Sequence, residues 1–173
     1  MAEQFLWFYA AAAQMSFVLL GFWWAVVTLK RDEWFPDPVR LRIAYCVTLH
    51  FIVAGVASLL SLLSVETSAI WRVGFGAGGV IGLIASVLIW QDVMGQMHGR
   101  RPPLLTYGWW VLAVVYVAVT TVAIGGTPLI HKLGSDVKAI QVEGVLVGLL
   151  LFLGAQVTWS LFVESWRDSR PTP

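Results

Sequence analysis

The chain has 173 residues, 58% of them hydrophobic and 12% charged, against roughly a quarter charged in an ordinary soluble domain. Its net charge of +1 argues against nucleic acid as a partner, and a single cysteine, Cys46, excludes an internal disulfide. Runs of about 20 apolar residues, each enough to cross a hydrocarbon core of about 30 Å, recur along the chain, and they predict an all-α fold. The expectation is one membrane domain over residues 1–173, a bundle of five transmembrane helices.

The opening residues Met-Ala-Glu-Gln carry no Lys or Arg and so lack the basic start of a secretory signal peptide. The first apolar segment is expected to stay in the mature protein as a span over about 5–29. Charge in Lys30-Arg31-Asp32-Glu33 stops it, and Asp37-Pro38 reads as an N-cap followed by proline at the first helical position. The second span, about 41–64, is joined by a tight Val65-Glu66-Thr67-Ser68-Ala69 turn to the third, about 72–92, as an antiparallel hairpin.

That third span carries Gly74, Gly78, Gly82 and Ser86 at every fourth position, with no charge between Arg72 and Asp92. Small residues so spaced let backbones approach in lipid, where packing and not hydrophobicity drives association. This span is therefore expected at the centre of the bundle. The fourth, about 107–125, is introduced by Pro102-Pro103 and ended by Gly125-Gly126, with Thr127-Pro128 preventing continuation. The fifth, about 141–165, belongs to a helix of about 31 residues, or roughly 45 Å. Its Gly144 and Gly148 offer a second small-residue face, so one stripe is free to pack within the chain and the other against a second copy or a partner.

Basic residues set the expected orientation. With the N-terminus outside, Lys30, Arg31, Arg40, Arg42, Arg100, Arg101, Arg167 and Arg170 are inside and Arg72, Lys132 and Lys138 outside. This is a positive-inside bias, and it predicts a cytoplasmic C-terminus in a bacterial inner membrane. Tryptophans are lopsided in the same frame. Trp7 and Trp71 fall at the outer face; Trp23, Trp24, Trp34, Trp90, Trp109, Trp110, Trp159 and Trp166 fall toward the inner one. Most of these read as an interfacial belt.

By this reading no Asp, Glu, Lys or Arg lies in the core of a span, which argues against proton relays, ion-coupled transporters and voltage sensors. The intramembrane polar residues are Gln14, Thr48, His50, Thr120, Thr121, Gln156 and Thr158. His50 and Gln156 both fall about 14 Å from the inner face, which makes them a candidate interhelical pair that fixes register or meets a ligand. Trp23, Trp24 and Trp159 lie just below them, roughly 8 to 9 Å inside the boundary. Together Trp23, Trp24, His50, Gln156 and Trp159 make a candidate pocket of apolar walls with one or two polar groups, the usual composition of a small-molecule site.

No cofactor is expected, because a bis-histidine haem needs a second intramembrane histidine and His98 and His131 fall in loops. No metal site is expected in the membrane either, since the chain has no HExxH or paired-cysteine pattern. At the inner face Asp32, Glu33, Asp37, Asp92, His98, Glu164 and Asp168 suggest a metal-dependent enzyme acting on lipid headgroups as a third reading. Ordinary interface charges explain them as well, and no catalytic residue is assigned. The leading expectation is a non-catalytic subunit or hydrophobic-ligand-sensing module. Its partners would be the lipid bilayer, a second copy or a membrane protein, and a hydrophobic small molecule. The second reading is a homo-oligomeric channel or small-solute transporter, distinguished by whether Gln14, Thr48 and Gln156 point to one shared axis.

Overall fold

The computed structural model describes the backbone of residues 2–63, 68–96, 103–132 and 137–168, and the side chains of 5–63, 69–88, 91, 110–132 and 137–159. The side chains of Glu66, Trp90, Asp92, His98, Arg100, Arg101, Trp109, Glu164, Trp166, Arg167, Asp168 and Arg170 lie outside the described residues. The helices are α1 (Ala2–Leu29), α2 (Arg31–Trp34), α3 (Pro38–Leu63), α4 (Ser68–Gln96), α5 (Pro103–Lys132) and α6 (Ala139–Asp168). Among the described residues, five of them, all but the one-turn α2, are long and apolar enough to cross a membrane.

Local chemistry explains the α1–α3 connection. Asp37 caps α3 as its sequence position suggests: Oδ1 accepts from the amides of Val39 at 2.9 Å and Arg40 at 3.4 Å, satisfying donors that a helix N-terminus leaves open. The connector before it is more ordered than a loop. Lys30 pairs with Glu33 at 2.8 Å across the single turn of α2, and Trp34 folds back into the bundle, where its ring lies 5.6 Å from that of Trp23.

Helices consecutive in the chain pack side by side, and α6 closes the ring against α1 while also meeting α3 across the middle. The end where α1, α4 and α6 begin is called the near end here; the other is the far end. The glycine-striped α4 is not the central helix, contrary to the sequence-based expectation. It packs on α3 and α5, whereas α3 meets α1, α4 and α6 and buries thirteen residues from Val39 to Ser61.

The stripe on α4 is spent inside the chain. A Cβ on Gly74 would meet Leu60 of α3 at 2.5 Å, and one on Gly78 would meet Val53 at 2.8 Å. Gly82 faces α5, where a Cβ would fall within the Tyr116 ring, and Ser86 is buried with its hydroxyl donating to the Gly82 carbonyl at 2.8 Å. Gly144 is also internal, set against Phe8 and Tyr9 of α1, while Gly148 is exposed with nothing within 4 Å of its missing Cβ.

The fourth span is interrupted where Gly125-Gly126 and Pro128 predict, yet helix resumes to Lys132. Gly126 has φ 58° and ψ −159°, a conformation that favours glycine, and Pro128 has no N–H to offer the Ile124 carbonyl. Arg72 of α4 fills the gap. Its Nε donates to the Ala123 carbonyl at 2.8 Å and Nη2 donates to that of Ile124, placing a cation against the negative end of a helix.

Candidate functional site

His50 is buried at mid-bundle and joins three helices. Its Nδ1 lies 2.5 Å from the Tyr116 hydroxyl of α5 and its Nε2 lies 2.5 Å from the Leu150 carbonyl of α6. A carbonyl only accepts, so Nε2 carries the ring proton and Tyr116 donates to Nδ1, an assignment made from the partners' chemistry. Both nitrogens of a neutral imidazole are thereby used. Two glycines make the room: a Cβ on Gly154 would sit 2.6 Å from His50 Cδ2, and Gly82 admits the Tyr116 ring. A cavity of about 20 Å³ beside them, bordered by Cys46, Ser86 and Leu112, is large enough for about one water.

The predicted pocket residues do not converge on one enclosed chamber. Trp23 is buried and donates its indole N–H to the Ala44 carbonyl at 3.0 Å. Trp24 is 58% exposed and Trp159 is 64% exposed, and Gln156 is exposed on α6. The polar partners of His50 are Tyr116 and Leu150, not the Gln156 expected from depth. Nor do Gln14, Thr48 and Gln156 share an axis within the chain, since Gln14 and Gln156 are exposed while Thr48 is buried and bonded to Ala44 of its own helix.

Trp24 instead borders an open groove of about 620 Å³ between α1 and α3 at the far end. Aromatic rings of Trp24, Phe35 and Tyr45 wall it, Leu49 and Ile52 extend it toward mid-bundle, and Arg42 lies on its lining. The Arg31 guanidinium sits 5.3 Å above the Phe35 ring. The size is within the range of small-molecule sites, and the lining is apolar along its length with a cation toward the far end. A second groove of about 600 Å³ between α3 and α4 is lined by aliphatic residues and glycine, with nothing polar to orient a ligand.

Glu143 lies inside the fifth apolar stretch, close to its start and outside the span cores from which charge was expected to be absent. It is four residues into α6, within an apolar stretch long enough to span, with 0% exposure, and neither carboxyl oxygen has a hydrogen-bond partner among the described residues. Tyr9 of α1 is its electrostatic neighbour but donates its hydroxyl to the Ile140 carbonyl at 2.5 Å. Phe75 of α4 lies edge to face with both Tyr9 and Trp71, completing an aromatic layer.

Among the described residues no group of His, Cys, Asp and Glu is placed to hold a metal ion. Of the acidic residues weighed for a headgroup enzyme, Asp32, Glu33 and Asp37 are described, and Glu33 and Asp37 are engaged with Lys30 and Arg40. No family model matches the chain, and neither a curated protein nor a solved structure matches it.

Proposed function

We propose that this multi-pass membrane protein is a non-catalytic ligand-binding module that holds an anionic amphiphile in the groove between α1 and α3. The observation that carries the reading is the groove's make-up: an apolar channel walled by Trp24, Phe35 and Tyr45 and bearing Arg42. A tail lying along Leu49 and Ile52 removes apolar surface from the bilayer without opening the bundle, and an anionic head meets Arg42 in a charge-assisted hydrogen bond. The distribution of basic residues supports the placement of this end on the cytoplasmic side of a bacterial inner membrane, because Lys30, Arg31, Arg40 and Arg42 cluster there and that leaflet surface is negative. The interior use of the α4 stripe favours a module complete within one chain over assembly through that stripe.

Native mass spectrometry of protein released from mild detergent tests the proposal. Wild type is expected to retain an anionic lipid, with Arg42→Gln weakening retention about tenfold, the loss of roughly one charge-assisted bond, and Trp24→Ala weakening it further. Equal retention by all three proteins rejects the groove.

A further inference from the structure

We infer that Glu143 is a proton-binding site at the seam between α1 and α6, its carboxyl holding a proton while the seam is closed and losing it when the seam opens. Glu143 is a buried acid with no counter-charge against it among the described residues. Its exposure is 0% and both oxygens are without a partner among them. An isolated ionised carboxylate in such surroundings costs far more than a neutral acid.

Among the described residues, the neighbouring elements leave the balance to a proton and not to a side-chain cation. From α1 comes Tyr9, whose single O–H is committed to Ile140. On α4 the cation is Arg72, held by the Ala123 and Ile124 carbonyls of α5. His131 and Lys132 at the end of α5, and Lys138 before α6, are exposed. At this end α3 brings the hydroxyls of Ser58 and Ser61, each donating to a carbonyl of its own helix.

The route to water is short. Glu143 lies about 6 Å along the axis from the first residue of α6 at 1.5 Å per residue, so displacing that helix's first turns from α1 brings the carboxyl to the near end. Gly144 lets the two helices approach closely there, since a Cβ on it would lie 3.2 Å from the Phe8 ring and 3.5 Å from the Tyr9 hydroxyl. The closed seam binds one more proton than the open one, so raising the pH favours opening. Ionisable residues inside spans mark ion and proton sites for this reason.

Infrared difference spectroscopy of the full chain in lipid vesicles provides the test. Wild type is expected to show a protonated-carboxyl stretch at neutral pH, where solvent-exposed carboxyls are ionised, and Glu143→Gln is expected to lack it. Labelling with carbon-13 glutamate shifts the same band in the wild-type protein and labelled aspartate does not, a check that needs no variant. Hydrogen exchange of the amides over 139–147 should show seam opening that rises up to about tenfold per pH unit beyond base catalysis in wild type, and no such rise in Glu143→Gln. Absence of the band, its insensitivity to labelled glutamate, a carboxylate signal that follows added sodium, or equal pH dependence in the two proteins overturns the inference.

Discussion

His50 at mid-bundle and Glu143 near the start of α6 are both polar, both buried and both on faces that otherwise pack apolar side chains, yet their surroundings treat them oppositely. His50 has a donor for one nitrogen and an acceptor for the other, with Gly82 and Gly154 opening space for the two rings involved. Glu143 has neither solvent nor, among the described residues, a hydrogen-bond partner. A satisfied buried network fixes how helices meet and contributes to stability, whereas an unsatisfied acid is a cost that packing elsewhere must offset. The first is architecture; the second is the better candidate for chemistry.

The largest expected effect comes from breaking the satisfied site. Gly82→Ala drives a methyl into the Tyr116 ring and should destabilise the bundle by about 3 kcal/mol, the upper end of overpacking costs. Gly148→Ala, with open space at its Cβ, should be neutral or stabilise by up to about 1 kcal/mol through helix propensity. Thermal unfolding in one detergent compares the two. A similar loss at both positions would mean that glycine matters to these helices for reasons other than close packing.

Arg72 sharpens the contrast from within the near end, because it is a charged group there that does have partners. Arg72→Gln should cost about 1.5 to 3 kcal/mol, the range for hydrogen bonds to charged groups, and should speed amide exchange around the Gly126 break. Unchanged exchange there would show that the Ala123 and Ile124 carbonyls do not need the guanidinium.

Much of the fold was legible in the residues. Apolar run lengths placed the five long helices, and the Asp37-Pro38 pair placed the start of α3. What periodicity could not supply was each helix's orientation, because a helix surrounded by lipid and protein is apolar on nearly every side. The stripe on α4 signals close approach but not its partner, and the more enclosed α3 carries small residues at that spacing in pairs, Ala54 with Ser58 and Ala57 with Ser61, and not in a run of four.

The site was less legible. Depth matched His50 with Gln156, but depth says nothing of azimuth, and the real partner Tyr116 lay in a different span. Glu143 did carry a signal: it stands four, seven and eleven residues before Val147, Leu150 and Gly154, all buried on one helical face. Its position so near the start of the fifth span hid that relation. Arg72 looked like an ordinary boundary charge because the carbonyls it serves are 51 and 52 residues away in sequence.

The most direct measurement is the unfolding midpoint, in one mild detergent at neutral pH, of Tyr116→Phe and Glu143→Met beside wild type. If the two sites differ as described, Tyr116→Phe loses about 1 kcal/mol by removing one buried hydrogen bond. Glu143→Met, which replaces an unpaired acid with an apolar chain of similar size, gains about 1 to 3 kcal/mol. A loss of stability in Glu143→Met comparable to that in Tyr116→Phe would contradict the account, because it would mean that the carboxyl supports the bundle as His50 does.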